Sequence, residues 1–415
     1  MSEIVSEFIK RASLRSVADA VARLSLALPK RVDSGMPCPR CGGTDRFAVN
    51  PAKGVWNCRN CGGGKTGLGL VGHYLRYDLH RRDHLLEACS ILLAEAVPEG
   101  GERETDQSRR DREAEMREAL EKAEAEAAKQ RLKQDAFREK EVLKARGIYF
   151  NATFCPHEDD RPLRAYLKLR TGFDMPDAVF ENIRFRARQT YWHGQDERGN
   201  SVSYHVGFAM IAPFVDLSAR VTGCHETWID LSNGPKFRPD LGVDGKGEPL
   251  PTKKMRGTKK GSLIPVCGRM EACRWIGGEG IETVAAFAGA DGFREDTFYF
   301  ATGDLGNLAG PADPKSAFYH PNLKKADVHG HLRPVRVQGP VPKIDQSVSD
   351  AYQVPDHVKH LIHLADGDSE PVFTASAMAR AEARHRHDGR TIHTQWPPEG
   401  VDFALLMAGR RASGT

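Results

Sequence analysis

Cys273-Arg-Trp-Ile-Gly-Gly-Glu279-Gly-Ile-Glu282-Thr-Val-Ala-Ala-Phe287 is the stretch on which the fold turns. Cys273 to Gly277 reads as a strand and Ile281 to Phe287 as a helix, with one carboxylate in the turn between them. Glycines on both sides of Glu279 let the backbone turn tightly and let a bulky ligand approach the acid. Outward from this unit the alternation continues. Phe298 to Ala301 and His360 to Leu364 are strand-like, and Thr374 to His387 is helical. Thr391 to Thr394 is strand-like again, and a short helix follows near Val401 to Met407. Strands alternating with helices predict an α/β domain over 262–415 with a mostly parallel sheet. Gly306 to Val358, rich in Pro, Gly, His and Lys, reads as a long irregular insertion.

Three acidic motifs fall at strand ends in this region, where α/β folds place chemistry. They are Glu279 and Glu282 in the first turn, Ala365-Asp366-Gly367-Asp368 after the run Leu361 to Leu364, and Asp402 in Pro398-Glu-Gly-Val-Asp-Phe403. Two aspartates flanking a glycine can face one cation, and hard oxygen ligands suit Mg2+ or Mn2+. Carboxylates gathered in one cleft repel each other unless a cation neutralises them, so the cluster predicts metal. Glu282, one turn into the helix, either points at the site or caps the helix.

Near the N-terminus, Cys38-Pro-Arg-Cys41 and Cys58-Arg-Asn-Cys61 stand 16 residues apart. Two Cys-x-x-Cys pairs at this spacing predict four thiolates around one Zn2+ in a β-ribbon, with a turn at Asn50-Pro51. The alternative, free thiols or two disulfides, is disfavoured in a reducing compartment. Arg40, Arg46, Lys53, Arg59 and Lys65 around Phe47 and Trp56 suggest a surface that stacks on bases and neutralises phosphates. Gly64-Lys65-Thr66 imitates the end of a phosphate-binding loop, but Arg59 stands where that loop needs glycine.

At 415 residues, two or three domains are expected. Residues 2 to 28 read as one or two amphipathic helices and Leu75 to Val97 as helical, giving a first domain over 1–98. From Glu99 to Arg146, 27 of 48 residues are charged, 14 acidic and 13 basic. This predicts a charged, helical linker over 99–146 that buries no core. A mixed region over 147–261 has strand-like runs at Val202 to Phe214 and Glu226 to Leu231. Its stretch from Asp230 to Ser262 holds Lys236, Arg238, Lys246, Lys253, Lys254, Arg256, Lys259 and Lys260 against four acids. That local excess points to phosphate binding, where the net charge of +4 says nothing about partners. No apolar run is long enough for a membrane span, and Ile4, Val5, Phe8 and Ile9 are spaced like a helix face rather than an export signal. Cys89, Cys155, Cys224, Cys267 and Cys273 are then reduced thiols, and a cytoplasmic location is expected.

Together these residues resemble the zinc-ribbon/Toprim DNA primases of bacteria, phages and mobile elements. The resemblance spans most of the chain apart from the charged linker. It rests on the two cysteine pairs with Gly42-Gly-Thr-Asp-Arg-Phe47 and Trp56-Asn57, on Glu279-Gly-Ile-Glu-Thr283, on Gly303 to Ala309 with Asn307 and Leu308, on Asp366-Gly-Asp368 and on Asp402. It implies a Toprim catalytic domain over 262–415 and a basic subdomain over 147–261 that holds the template. The implied activity is DNA-templated synthesis of short RNA primers from ribonucleoside triphosphates on single-stranded DNA. Asp366, Asp368 and Asp402 would hold Mg2+ or Mn2+, with Glu279 a further metal ligand or a proton shuttle. The zinc on Cys38, Cys41, Cys58 and Cys61 would be structural. Arg46, Trp56, Arg59, Lys65, Lys236, Arg238, Lys253, Lys254, Arg256, Lys259 and Lys260 would bind nucleic acid or nucleotide, and a separate replicative helicase would be a partner. The chain departs from the family where Phe403-Ala-Leu405 replaces a second acid, where Pro371 replaces a glycine, and where Thr283 replaces a carboxylate. Two rival functions follow: a Toprim nuclease, and a DNA-binding replication or recombination accessory protein with a degenerate site.

Overall fold

Apolar spacing at the N-terminus gives two helices in the computed structural model, α1 (Glu3–Ser13) and α2 (Val17–Arg23). The structure describes residues 3–29, 35–153, 161–245, 247–327 and 330–412; Cys155 and Lys246 lie outside the described residues. A capping box starts α2: Asp19 N donates to Ser16 Oγ at 3.1 Å, and Ser16 N donates to the Asp19 carboxylate at 2.8 Å. Four short strands follow in an antiparallel sheet, β1 (Met36–Cys38), β2 (Gly42–Asn50), β3 (Val55–Cys58) and β4 (Gly62–Gly64). The β2–β3 turn forms at Asn50-Pro51: Asn50 Oδ1 accepts from Lys53 N, and Gly54 closes the turn at φ 64°.

The next helix, α3 (Gly67–Tyr74), escaped the sequence reading, because Gly-Leu-Gly-Leu-Val-Gly-His-Tyr holds three glycines. Packing overrides propensity here. Thr66 caps the helix, Leu70 and Val71 are buried, and a Cβ at Gly67 would stand 2.4 Å from the Ser16 carbonyl oxygen. Thr66 in the false phosphate loop is thus a helix cap. α4 (Arg82–Leu93) completes the small domain.

α5 (Asp106–Phe150) runs for 45 residues. The chain divides into two compact units inside it, residues 1–136 and 137–415. The expectation that this stretch buries no core holds only for its middle. Arg112 lies 4.2 Å from the Tyr77 ring centroid and 3.1 Å from buried Glu104 within the first unit, while Ala145 and Tyr149 are buried within the second.

In the second unit, α6 (Arg161–Thr171) and α7 (Asp177–Phe180) precede an antiparallel sheet of β5 (Arg184–Gln195), β6 (Ser201–Val215), β7 (Val221–Trp228) and β8 (Lys253–Gly257). The sequence indicated β6 and part of β7. It hid β5 and β8, whose charged side chains interrupt the alternation.

From Ile264 the chain builds the expected α/β sheet. Its elements are β9 (Ile264–Cys267), β10 (Arg274–Gly278), α8 (Ile281–Ala290), β11 (Thr297–Ala301), α9 (Leu305–Ala309), β12 (Phe318–Ala326), β13 (Leu332–Val337), β14 (His360–Leu364), α10 (Pro371–His385), β15 (Thr391–Gln395) and α11 (Phe403–Ala412). The sheet order is β15-β14-β10-β11-β9, parallel throughout except for the antiparallel edge strand β9. One apolar core joins α6, β6, β9, β10, α8 and Phe403. The insertion read as irregular carries α9 and a two-stranded hairpin, β12–β13. Among the described residues no helix is long and apolar enough to cross a membrane.

Candidate active site and metal centre

The sheet order itself locates a site. From β10 the chain crosses through α8 to β11 on one side, while β14 pairs with β10 on the other, so connections diverge between β10 and β14. Ligands of open α/β sheets bind where the strand order reverses, beyond the carboxyl ends of the strands. Gly278 and Leu364 are in register at those ends, and Glu279 and Asp366 follow them. Asp402 arrives from a separate segment because Gly367 has no side chain. A Cβ there would stand 2.4 Å from the Val401 carbonyl oxygen, and Gly400 N donates to Gly367 O at 2.8 Å.

One cavity of about 420 Å³ is lined by Glu279, Glu282, Thr283, Asp366, Asp368 and Asp402 together with Arg170, His225, Lys236, Arg238 and Lys253. Burial raises Glu279 to about 7, with Asp366, Asp304 and Asp368 adding repulsion and Lys253 opposing it. Burial likewise raises Asp366 to about 6, helped by Asp402 and Asp368 and opposed by Lys253 and the Thr283 hydroxyl. Two carboxylates that resist ionisation in one cavity fit a divalent cation electrostatically. Glu279, Asp366 and Asp368 line this cavity, but among the described residues only the four cysteines bring three or more ligand atoms within 4.8 Å of one another. Asp402 is engaged elsewhere: Arg170 donates to it at 3.1 Å, and it accepts the Ala404 N–H at the start of α11.

Glu282 resolves as a buried anchor rather than a cap. Tyr166 donates to it at 2.7 Å, Arg238 at 2.5 Å and Lys253 at 3.1 Å. Burial pushes this acid up, but Lys253, Arg238 and Arg170 overcome it and hold Glu282 well below the ordinary carboxylate range. The basic stretch is therefore largely paired. Arg238 and Lys253 face Glu282, Lys236 lies 3.5 Å from Asp368, Lys259 pairs with Asp304 and Arg256 with Glu226. Lys254 donates to the Trp192 carbonyl and sits 3.5 Å over the Tyr191 ring, while Lys260 is exposed. Asn307, within Gly303 to Ala309, is buried and bonds Ser262 O, Thr302 O and the amides of Gly261 and Tyr352, a framework role.

A second cavity, about 560 Å³, opens beside β5 and is lined by Lys144, Asn151, Arg186, Arg188, Trp192 and Arg256. Trp192 is 43% exposed, so its ring face is open to a flat ligand. Of these residues only Arg256 was singled out from sequence; the alternation of Arg184, Arg186 and Arg188 in Arg-Phe-Arg-Ala-Arg is the signal that could have found the groove.

In the first unit, the Sγ atoms of Cys38, Cys41, Cys58 and Cys61 all lie within 4.8 Å of one another. The pairs Cys38–Cys61 and Cys41–Cys58 stand 3.9 and 3.5 Å apart. A tetrahedron of sulfurs at about 2.3 Å from zinc has edges of ~3.8 Å, so the four residues fit Zn2+. Sequence reasoning missed His73 on α3, whose Nε2 lies 3.3 Å from Cys38 Sγ. Burial and the Arg40 charge lower this imidazole to about 4, so it is neutral at pH 7. Trp56 stacks on His73 at 4.7 Å and is 9% exposed, and Phe47 is wholly buried. Neither ring is available to a base, which corrects the expected stacking surface. Arg40 is also turned inward, donating to the carbonyls of Gly72, His73 and Tyr77. Arg46, Arg59 and Lys65 remain on the surface, with Arg59 2.6 Å from Asp45.

No protein-family profile and no curated protein matches the sequence. Among solved structures, the chain is similar to the Aquifex aeolicus primase comprising zinc-binding and RNA polymerase domains. Identity there is 15%, with 100% of this chain and 84% of that chain covered, at a TM-score of 0.34. A DnaG primase catalytic domain bound to single-stranded DNA gives 14% identity, coverage of 66% and 78%, and a TM-score of 0.35. A DNA primase domain from Pseudomonas aeruginosa gives 14%, 52% of each chain, and 0.29.

Proposed function

We propose that this chain is a DNA primase of the zinc-ribbon/Toprim type, joining ribonucleoside triphosphates into short RNA primers on single-stranded DNA. The observation that carries this reading is one cavity at the diverging strand ends, lined by Glu279, Asp366 and Asp368 together with Lys236, Arg238 and Lys253. Carboxylates for a divalent cation beside amines and guanidinium for phosphate are what nucleotidyl transfer requires.

Glu279, Asp366 and Asp368 would hold Mg2+ or Mn2+, which when bound neutralises the triphosphate and acidifies the attacking hydroxyl. The chain's own groups do the rest. As the acidified 3′-hydroxyl oxygen bonds the α-phosphorus, its proton passes to solvent and pyrophosphate departs. Arg238, largely buried against Glu282, and Lys253, exposed beside it, present positive charge to the triphosphate, and Lys236 does so from beside Asp368. Arg170 holds Asp402, which orders the start of α11. The groove with Lys144, Arg186, Arg188, Arg256 and Trp192 would take the template, combining phosphate charge with a stacking ring. Zn2+ on the four cysteines would hold the ribbon, from which Arg46, Arg59 and Lys65 reach DNA. A separate helicase would open the duplex.

A second reading has one observation behind it. The Asp402–Arg170 pair takes a carboxylate away from metal, which favours an accessory DNA-binding protein with a degenerate site. Incubation with single-stranded DNA, labelled ribonucleotides and Mg2+ or Mn2+ separates the two. Short RNA products that vanish in Asp366→Ala/Asp368→Ala are expected. DNA binding without products would leave the accessory reading, and loss of template length would indicate a nuclease.

A further inference from the structure

Between α9 and β14 the chain raises a hairpin that contributes almost nothing to the core. β12 is exposed at every residue except His320, and β13 at all but Val335 and Val337. Yet its base is rigidly held. The buried Arg380 of α10 donates to Gly310 O at 2.9 Å and to Gly339 O at 2.6 Å, clasping both feet of the insertion. Pro321 supplies no amide, and β12 bulges between Tyr319 and Lys324. His320 absorbs the irregularity: its Nδ1 accepts from Asn322 N at 3.1 Å and Leu323 N at 2.8 Å, so Nε2–H donates to Glu370 at 2.8 Å. Glu370 caps α10 two residues after Asp368. The hairpin is thus fixed to the loop that carries the catalytic carboxylates.

Its outward face has a definite chemistry. Tyr319 lies directly opposite Arg336, and Lys324 opposite Pro334, so Tyr319, Arg336 and Lys324 share one face. Val337 and His320 are buried on the side toward α10. Tyr319 is 68% exposed. From Asp313 to Lys343 there are six lysines and arginines against two aspartates. Those aspartates are spent locally: Asp313 caps a 3-10 turn and Asp327 pairs with Arg333. Lys324, Lys325 and Arg336 have no carboxylate partner among the described residues. On the other face Lys325 stands directly opposite Arg333, whose charge Asp327 already meets. Exposed cations beside an exposed ring suit a single strand, whose phosphates pair with charge and whose unpaired bases stack.

We infer that the β12–β13 hairpin is an arm that binds single-stranded nucleic acid, with Lys324 and Arg336 on phosphates and Tyr319 under a base. Its ligand rests on the primase reading, but its test does not. Fluorescence anisotropy of the full chain with labelled oligodeoxythymidylate of about 30 nucleotides, without Mg2+ or nucleotides, measures binding apart from catalysis. Lys324→Ala/Arg336→Ala is expected to weaken binding about tenfold at low salt and to lower the slope of log affinity against log salt by about 1.4. Tyr319→Ala is expected to weaken binding about tenfold with the slope unchanged. Lys324→Arg should retain wild-type binding, and Lys325→Ala, the same charge on the other face, should matter less than Lys324→Ala. Unchanged affinity and slope in Lys324→Ala/Arg336→Ala would overturn the inference, as would equal losses from Lys324→Ala and Lys325→Ala. Hairpin-dependent binding by a chain that makes no primers would sink the catalytic reading alone.

Discussion

Glu282 is the residue that sequence left open between pointing at the site and capping the helix, and its buried partners decide it. The acid is 3% exposed, and three donors converge on it. Removing its charge leaves Arg238, largely buried, without its counterion. Glu282→Gln is therefore expected to cost about 3 kcal/mol in urea unfolding, and a loss below about 1 kcal/mol would contradict the arrangement. Glu279 has the opposite sign. Its folded value of about 7 lies above the usual 4.5, so the native state binds more protons between those values. Its contribution to stability falls as pH rises from about 4.5 to 7, and the cost is complete above 7. Without added divalent cation, Glu279→Gln should be more stable than wild type at pH 8, by about 1–2 kcal/mol after allowing for solvent screening, with the gain shrinking at pH 5. No gain at pH 8 would show that the carboxylate is not under strain. The carboxylates were legible because each follows an apolar strand run. Their cationic partners were visible as charge but not as pairs, since Arg170, Arg238 and Lys253 meet Glu282 only through folding.

At the scale of elements, α8, β10 and β14 follow the sequence closely, because central parallel strands and the helix between them are buried and carry apolar runs. β5 and β8 were hidden by arginines and lysines that pair across the sheet, and α3 by its glycines. α3 matters most, because it brings His73 to Cys38 and seals Trp56 into the core. A ring N–H beside a zinc thiolate orients the ligand and tunes its charge. His73→Ala should therefore weaken zinc by about 10–100-fold in a competitive chelator titration. An unchanged zinc affinity would reduce α3 to packing alone. The hairpin was read as irregular because Pro, Gly and His punctuate it, although its strands pair around a bulge.

For the whole molecule, the charged stretch predicted from composition is a single helix with its ends in two different units. Its middle turns expose their charged side chains and bury no core, so limited proteolysis should cut between about Glu113 and Lys140 first. The two products should retain their circular dichroism, and the C-terminal one should keep the carboxylate cavity. Early cleavage elsewhere, or products that unfold, would contradict the division. The proposed primer synthesis requires that cavity to accept a divalent cation at Glu279, Asp366 and Asp368. Anomalous diffraction from crystals soaked in Mn2+ tests this most directly. A peak among those three carboxylates, lost in Asp366→Asn/Asp368→Asn while the cysteine site keeps its zinc, is the expected result; a cavity without manganese at saturating concentration would contradict it.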